Sequence, residues 1–228
     1  MNTSQHVVVT GIGGNLGQSA FRILSARGCN VTGIWSMGKR PADKIQDDFE
    51  ADLTDETATA TCINEIASKK GRIDVLIACV GGFESGTIQA TSLDMVKKMM
   101  RLNFDTAWNV VRPVFMKMKE QDSPGRIILV GARPAFDPTR GKDVVAYALS
   151  KSALNELACL INASAAPKDI VCSVIVPGTI DTPQNRSWAG NMDTSSWVTP
   201  EELAKGMEFL ISPEGAKLRE PILRFYGD

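Results

Sequence analysis

His6-Val7-Val8-Val9-Thr10 runs directly into Gly11-Ile12-Gly13-Gly14-Asn15-Leu16-Gly17, and a helical apolar pattern continues through Arg27. A β-branched run, a glycine-rich turn and an amphipathic stretch in this order read as strand, turn and helix. In that setting Gly11 permits the tight turn, Gly14 lets backbone approach a pyrophosphate, and Gly17 allows the helix to pack close to the strand. The helix N-terminus then faces the anion. Gly13, Asn15 and Leu16 complete the turn as candidate cofactor contacts. The same glycines would also serve a purely structural turn, so the reading depends on the rest of the chain.

Working outward, strand-like and helical segments alternate. Asn30–Trp35 reads as a second strand, Phe49–Asp55 as a short third, Glu56–Lys70 as a helix and Ile73–Val80 as a near-continuous apolar run suited to a central strand. Ser92–Gln121 reads as one long helix with Asn103 near its middle, followed by a strand over Gly125–Val130. In that helix Phe104, Ala107, Trp108, Val111, Val114, Phe115 and Met118 form a wide apolar stripe, either core or subunit contact. A helix over Val144–Ala166, strands at Val171–Val176 and Ile222–Tyr226, and a helix from about Pro200 complete the pattern. The expected architecture is α/β: a single domain over residues 1–228, with a Rossmann-type doubly wound parallel sheet of about seven strands and helices on both faces. Its site belongs at the carboxyl ends of the strands.

Composition narrows the class. A chain of 228 residues, 43% hydrophobic and 22% charged, can bury the core of one soluble domain and leaves little room for two. Lysine and arginine (25) balance aspartate and glutamate (26), so neither nucleic acid nor an anionic membrane is an expected partner. After a short polar leader the chain enters its first strand with no targeting or membrane-spanning signal, so a cytosolic protein is expected. The five cysteines form no closely spaced pair, and His6 is the single histidine, so no metal site is expected.

Tyr147 and Lys151 stand four residues apart in the Val144–Ala166 stretch, on one face of the predicted helix. An ammonium near the phenol should favour the phenolate and pull its pKa down from ~10, which suits a general acid. Pairs at this spacing also occur on ordinary helix surfaces. At the end of the second strand, about 20 residues beyond the glycine turn, an acid would hold the adenine ribose of NAD. Trp35 and Ser36 stand there instead, followed by Lys39 and Arg40, a hydroxyl and two cations suited to a 2′-phosphate. NADP(H) is therefore the favoured cofactor, with NAD(H) open, although the two cations would equally suit a solvated loop. Asp52 is a candidate partner for the adenine amino group, while Asp55 also reads as a helix cap. Gly81-Gly82 would let a flat ring lie against bare backbone, or simply form a turn. Trp188, Met192 and Trp197 in a polar segment suit a lid over a flat substrate.

Taken together, Thr10–Gly17, Asp52-Leu53, Asn103, Tyr147–Lys151 and Pro177-Gly178 with Thr179 and Thr182 resemble, in order, the motifs of the short-chain dehydrogenase/reductase family. The resemblance runs from His6 to Asp228. It implies an NAD(P)-dependent oxidoreductase of a small molecule in which Tyr147 is the general acid. Lys151 would hold the nicotinamide ribose and lower the Tyr147 pKa, and Asn103 would anchor a proton-relaying water chain. By the same resemblance Cys79, Val80, Gly81, Pro177, Gly178, Thr179 and Thr182 line the cofactor. Two departures stand out. Gly131-Ala132 replaces the usual catalytic serine, and Ala78-Cys79-Val80-Gly81 replaces the usual Asn-Asn-Ala-Gly.

Both departures, with Ala78–Phe83, Leu129–Ala132, Asp181–Arg186, Ser195–Trp197 and Thr199-Pro200, resemble the dihydropteridine reductase branch. That branch implies reduction of a quinonoid dihydropterin, an already electron-poor ring that needs a proton donor more than an oxyanion hook. A carbonyl reductase working without the serine is the alternative within the family. A catalytically idle dinucleotide-binding protein is the alternative outside it, although Tyr147, Lys151 and Asn103 together argue against it. Apolar residues on more than one face of the Tyr147 helix (Leu149, Ala153, Leu157, Leu160) lead us to expect a homodimer or homotetramer.

Overall fold

In the computed structural model, which describes residues 5–41, 48–121, 123–165 and 169–227, β1 (His6–Thr10) is followed by α1 (Asn15–Ala26) and β2 (Asn30–Trp35). Next come β3 (Asp48–Glu50), α2 (Glu56–Lys70), β4 (Val75–Ala78), α3 (Leu93–Met100) and α4 (Thr106–Glu120). The second half holds β5 (Gly125–Val130), α5 (Pro138–Gly141), α6 (Val145–Ser164), β6 (Ile170–Pro177), α7 (Pro183–Ala189), α8 (Pro200–Ile211) and β7 (Ile222–Phe225). Met1–Ser4, Ala166 and Asp228, which the expected domain and helix include, lie outside the described residues.

The strands form one seven-stranded sheet in the order β3-β2-β1-β4-β5-β6-β7, every pair parallel. From β1 the chain winds outward through β2 to β3, then returns and winds the other way from β4 to β7. The direction therefore reverses between β1 and β4, and a crevice opens above their carboxyl ends.

The two faces follow the period of two in the strands. Val8 joins a core with Ile63 and Ile66 of α2, Val114 of α4 and Leu154 of α6. Its neighbours Val7 and Val9 point the other way, towards Leu24 of α1 and Leu203 and Met207 of α8. Each of these side chains is almost wholly removed from water, worth about 1.5–3 kcal/mol apiece before entropy is counted. A polar substitution at Val8 would break both the packing and the strand register.

Helix ends are marked by chemistry legible in the sequence. Asp55 caps α2 by accepting from the Ala58 N–H at 2.9 Å, and Gly71 stops that helix in the left-handed region (φ 79°). Thr199 and Glu202 form a reciprocal capping box on α8. Two expectations need correcting. The third strand ends at Glu50, so Asp52 lies in the turn beyond it, because Asp55 is committed to capping α2. The predicted helix over Ser92–Gln121 is interrupted: Ser92 is the cap of α3, and a π turn over Arg101–Asp105 separates α3 from α4.

Candidate functional site

The turn after β1 is held by backbone. The Gly11 and Ile12 N–H groups donate to the Ile34 carbonyl at the end of β2, at 2.8 and 3.2 Å, and Gly11 sits at φ 72°. A Cβ on Gly17 would collide with the Gly11 carbonyl, so the close packing of α1 requires glycine there. Gly13 has an unforeseen role, since a Cβ there would collide with the Lys39 carbonyl of the loop after β2. Gly14 differs from both: a Cβ would make only an ordinary 3.4 Å contact, so the chain's own packing does not demand glycine. Gly14 is also the cap of α1, with no side-chain cap and no acid in the first turn. Asn15 is exposed, whereas the Leu16 side chain turns into the core. A helix N-terminus with no side-chain cap, beside a glycine that the chain's own packing does not demand, fits a dinucleotide pyrophosphate.

At the carboxyl end of β5, α6 carries Tyr147 and Lys151. The Lys151 ammonium is buried and donates to the Val130 carbonyl at 2.8 Å, 6.0 Å from the centre of the Tyr147 ring. Burial lowers the Lys151 pKa to about 8, with the Cys79 thiol acting weakly the other way. Burial also pushes the Tyr147 phenol up to about 12 and the Cys79 thiol to about 12. This corrects the expected depression of Tyr147. Lys151 is committed to the end of β5, and its charge does not offset the loss of water around the phenol.

Asn103 is fully buried rather than solvated, inside the π turn. Its Oδ1 accepts from the Gly82 N–H at 2.9 Å, while its Nδ2 donates to the Gly82 carbonyl at 3.1 Å and to Ser150 Oγ at 3.0 Å. Ser150 in turn donates to the Tyr147 carbonyl at 2.8 Å. The amide is thus a two-handed clamp on the segment after β4, tied to the Tyr147 helix. Gly81 lies alongside, and a Cβ there would come within 2.6 Å of Asn103 Oδ1 and 3.2 Å of Lys151 Nζ. Phe83, two residues on, is largely exposed and meets the Tyr147 ring edge-on at 5.0 Å and 70°. Ala132 is buried at the end of β5 and brings no hydroxyl. Ser150 escaped the sequence reading, although its place beside Lys151 on an inward helix face was a usable signal. Thr10, the first residue of the motif that runs to Gly17, accepts the Cys79 N–H at 3.1 Å and ties β1 to β4.

Towards β2 and β3, Asp52 is exposed. Hydrogen bonds from the Thr54 hydroxyl and N–H hold its carboxyl below the usual range. Leu53 is core, and Val80 is half-buried below the glycine turn. Ser36 and Lys39 are exposed, whereas Arg40 folds back over the Trp35 ring at 5.5 Å to pair with Asp48. On the other side, Pro177 ends β6 and the Gly178 N–H donates to the Phe225 carbonyl at 2.8 Å. The Thr179 carbonyl accepts the Val198 N–H at 2.9 Å, and Thr182 caps α7 by accepting from Asn185 at 3.1 Å. Trp188 and Trp197 pack at 5.6 Å, with Trp188 and Met192 exposed. Among the described residues no group of three histidine, cysteine or acidic side chains converges to hold a metal, and no helix is long and apolar enough to cross a membrane.

A model of the short chain dehydrogenase family matches residues 5–193, and the chain belongs to that family. It is an oxidoreductase acting on a small molecule with NAD(P). Acetoacetyl-CoA reductase from Acinetobacter sp. (strain RA3849) is 24% identical over 248 residues, covering 100% of this chain and 98% of that protein. Dihydropteridine reductase from Dictyostelium discoideum is 24% identical over 205 residues, 89% and 85% respectively. Among solved structures, a protein from Beutenbergia cavernae proposed to be an NAD(P)-dependent gluconate 5-dehydrogenase, with NADP bound at low occupancy, superposes with a TM-score of 0.85 at 24% identity. That superposition covers 99% of this chain and 96% of that one.

Proposed function

We propose that this protein is an NADPH-preferring reductase of a flat conjugated substrate of the quinonoid dihydropterin kind, with Tyr147 as proton donor. The observation that carries this reading is the ring of Phe83 set edge-on to Tyr147 at 5.0 Å, while Ala132, two residues beyond β5, brings no hydroxyl. An aromatic wall suits a planar ring. Such a substrate develops little charge on any single oxygen, so a missing hydroxyl costs it little. The similarity to dihydropteridine reductase supports the same choice.

The cofactor supplies hydride when bound. The Gly11–Gly17 turn and the open N-terminus of α1 would hold its pyrophosphate, and Asp52, Leu53 and Cys79–Gly81 its adenosine half and the adjoining ribose. Ser36, Lys39 and Arg40 would meet the 2′-phosphate; Pro177, Gly178, Thr179 and Thr182 would border the nicotinamide. Tyr147, held protonated by burial, donates to the substrate nitrogen, and Lys151 holds the nicotinamide ribose. Asn103 fixes the Gly81–Phe83 wall and anchors the route that reprotonates Tyr147. Ketone reduction is the second reading, favoured by the full-length similarity to acetoacetyl-CoA reductase.

We take residues 1–228 to act as one catalytic domain. Exposed Trp108 on α4 and exposed Leu149 and Leu160 on α6 support assembly into a homodimer or homotetramer. Five free thiols fit the reducing cytosol. The test is NADPH oxidation with quinonoid dihydropterin beside a panel of simple ketones and aldehydes. Turnover of the pterin and poor turnover of ketones is expected.

A further inference from the structure

The loop after β2 is seated on the dinucleotide turn. Gly11 and Ile12 bind the Ile34 carbonyl, and the Lys39 carbonyl rests where a side chain on Gly13 would be. The Lys39 N–H closes a tight turn by donating to the Ser36 carbonyl at 2.9 Å. Arg40 is thereby delivered beside the end of β2, where a 2′-phosphate would approach, yet its guanidinium is aimed elsewhere. It lies over the Trp35 ring at 5.5 Å and reaches Asp48 with Nη2 to Oδ1 and Nε to Oδ2 both at 3.4 Å. Asp48 opens β3 opposite Gly33, behind Trp35 in the strand direction, so Arg40 is folded back from the carboxyl edge of the sheet. The Asp48 side chain is 12% exposed and that of Arg40 64%. The acid is therefore largely buried against the sheet edge, while the cation lies mostly in solvent.

We propose that Asp48 competes with the cofactor's 2′-phosphate for Arg40, so that this pair, resting on Trp35, sets how strongly NADPH is distinguished from NADH. The inference rests on the proposed cofactor site. Two parallel contacts at 3.4 Å are long for a charge-assisted fork, which is strongest near 2.7–2.9 Å. A phosphate offers about twice the charge of a carboxylate and three acceptor oxygens, so Arg40 exchanges partners when NADPH arrives and stays on Asp48 when NADH does. Trp35 supplies a surface over which the guanidinium swings.

The test is calorimetric titration of the protein and its Asp48→Asn, Arg40→Gln and doubly substituted variants with NADPH and NADH, with thermal unfolding to confirm folding. Asp48→Asn should raise the ratio of NADH to NADPH dissociation constants by about two- to five-fold, the scale of an exposed ion pair. NADH affinity should stay constant, and the gain should vanish in the double variant. Asp48→Ser serves if the asparagine variant folds poorly. An unchanged ratio in a folded Asp48 variant, or a gain that survives Arg40→Gln, overturns the proposal. Tighter binding of NADH by the unaltered protein would refute the NADPH preference alone, since the latch predicts the same upward change from that lower start.

Discussion

Burial alone holds the Tyr147 phenol near pKa 12, so at neutral pH it keeps its proton and is ready to give it. Tyr147→Phe should lower kcat by about 100-fold or more while cofactor binding stays nearly intact, the scale of a lost general acid. Lys151→Ala should damage both, and steady-state kinetics with separate cofactor titration would distinguish the two. The sign of the shift also sets the pH behaviour. A raised pKa favours the protonated form, so reduction should be flat from about pH 5 to 7, below the Lys151 pKa of about 8, whereas the reverse oxidation, which needs phenolate, should climb about tenfold per pH unit over that range. Reduction that titrates away near neutrality would contradict a burial-held phenol. Ala132→Ser should help ketones, whose alkoxide it could meet, and leave a dihydropterin unimproved.

Among the elements, the π turn between α3 and α4 matters most, because it turns Asn103 inward onto Gly82 and Ser150. Asn103→Ala strips partners from buried backbone, so it should cost about 1–3 kcal/mol in unfolding free energy and loosen Phe83, raising KM. Asp55→Ala should cost about 1 kcal/mol by losing the α2 cap, with KM and kcat unchanged. Denaturant unfolding read beside kinetics separates these outcomes. The elements were largely legible in advance. β1, β2, α2 and β5 have the bounds that their periodicity and caps predict, because those signals are local. The π turn was not, since the one-residue slip it puts into the helical period is a small signal among the apolar residues of α3 and α4. The partners of Arg40 and Lys151 were also hidden. Long side chains choose among acceptors that only the folded sheet brings together, here Asp48 and the Val130 carbonyl.

For the whole molecule, reversal of winding between β1 and β4 sets the glycine turn, the Gly81–Phe83 wall and Tyr147 around one crevice. α4, which follows the π turn of Asn103, exposes Trp108, and α6, which carries Tyr147, exposes Leu149 and Leu160. On the proposed assembly, Leu160→Glu should reduce the particle mass measured by sedimentation, and an unchanged mass would contradict a contact through this face. The ordered motifs spread along the chain point to the carboxyl ends of these strands, whereas the proposed substrate rests on the few residues that depart from them, Ala132 and Cys79 to Phe83. The central claim is that Tyr147 delivers a proton to a flat conjugated ring without help from a hydroxyl. It is tested most directly by kcat/KM with NADPH for quinonoid dihydropterin and for simple ketones on the unaltered protein. Efficient turnover of the pterin with ketones slower by about 100-fold or more is the predicted result; efficient ketone reduction with no detectable pterin turnover would contradict it.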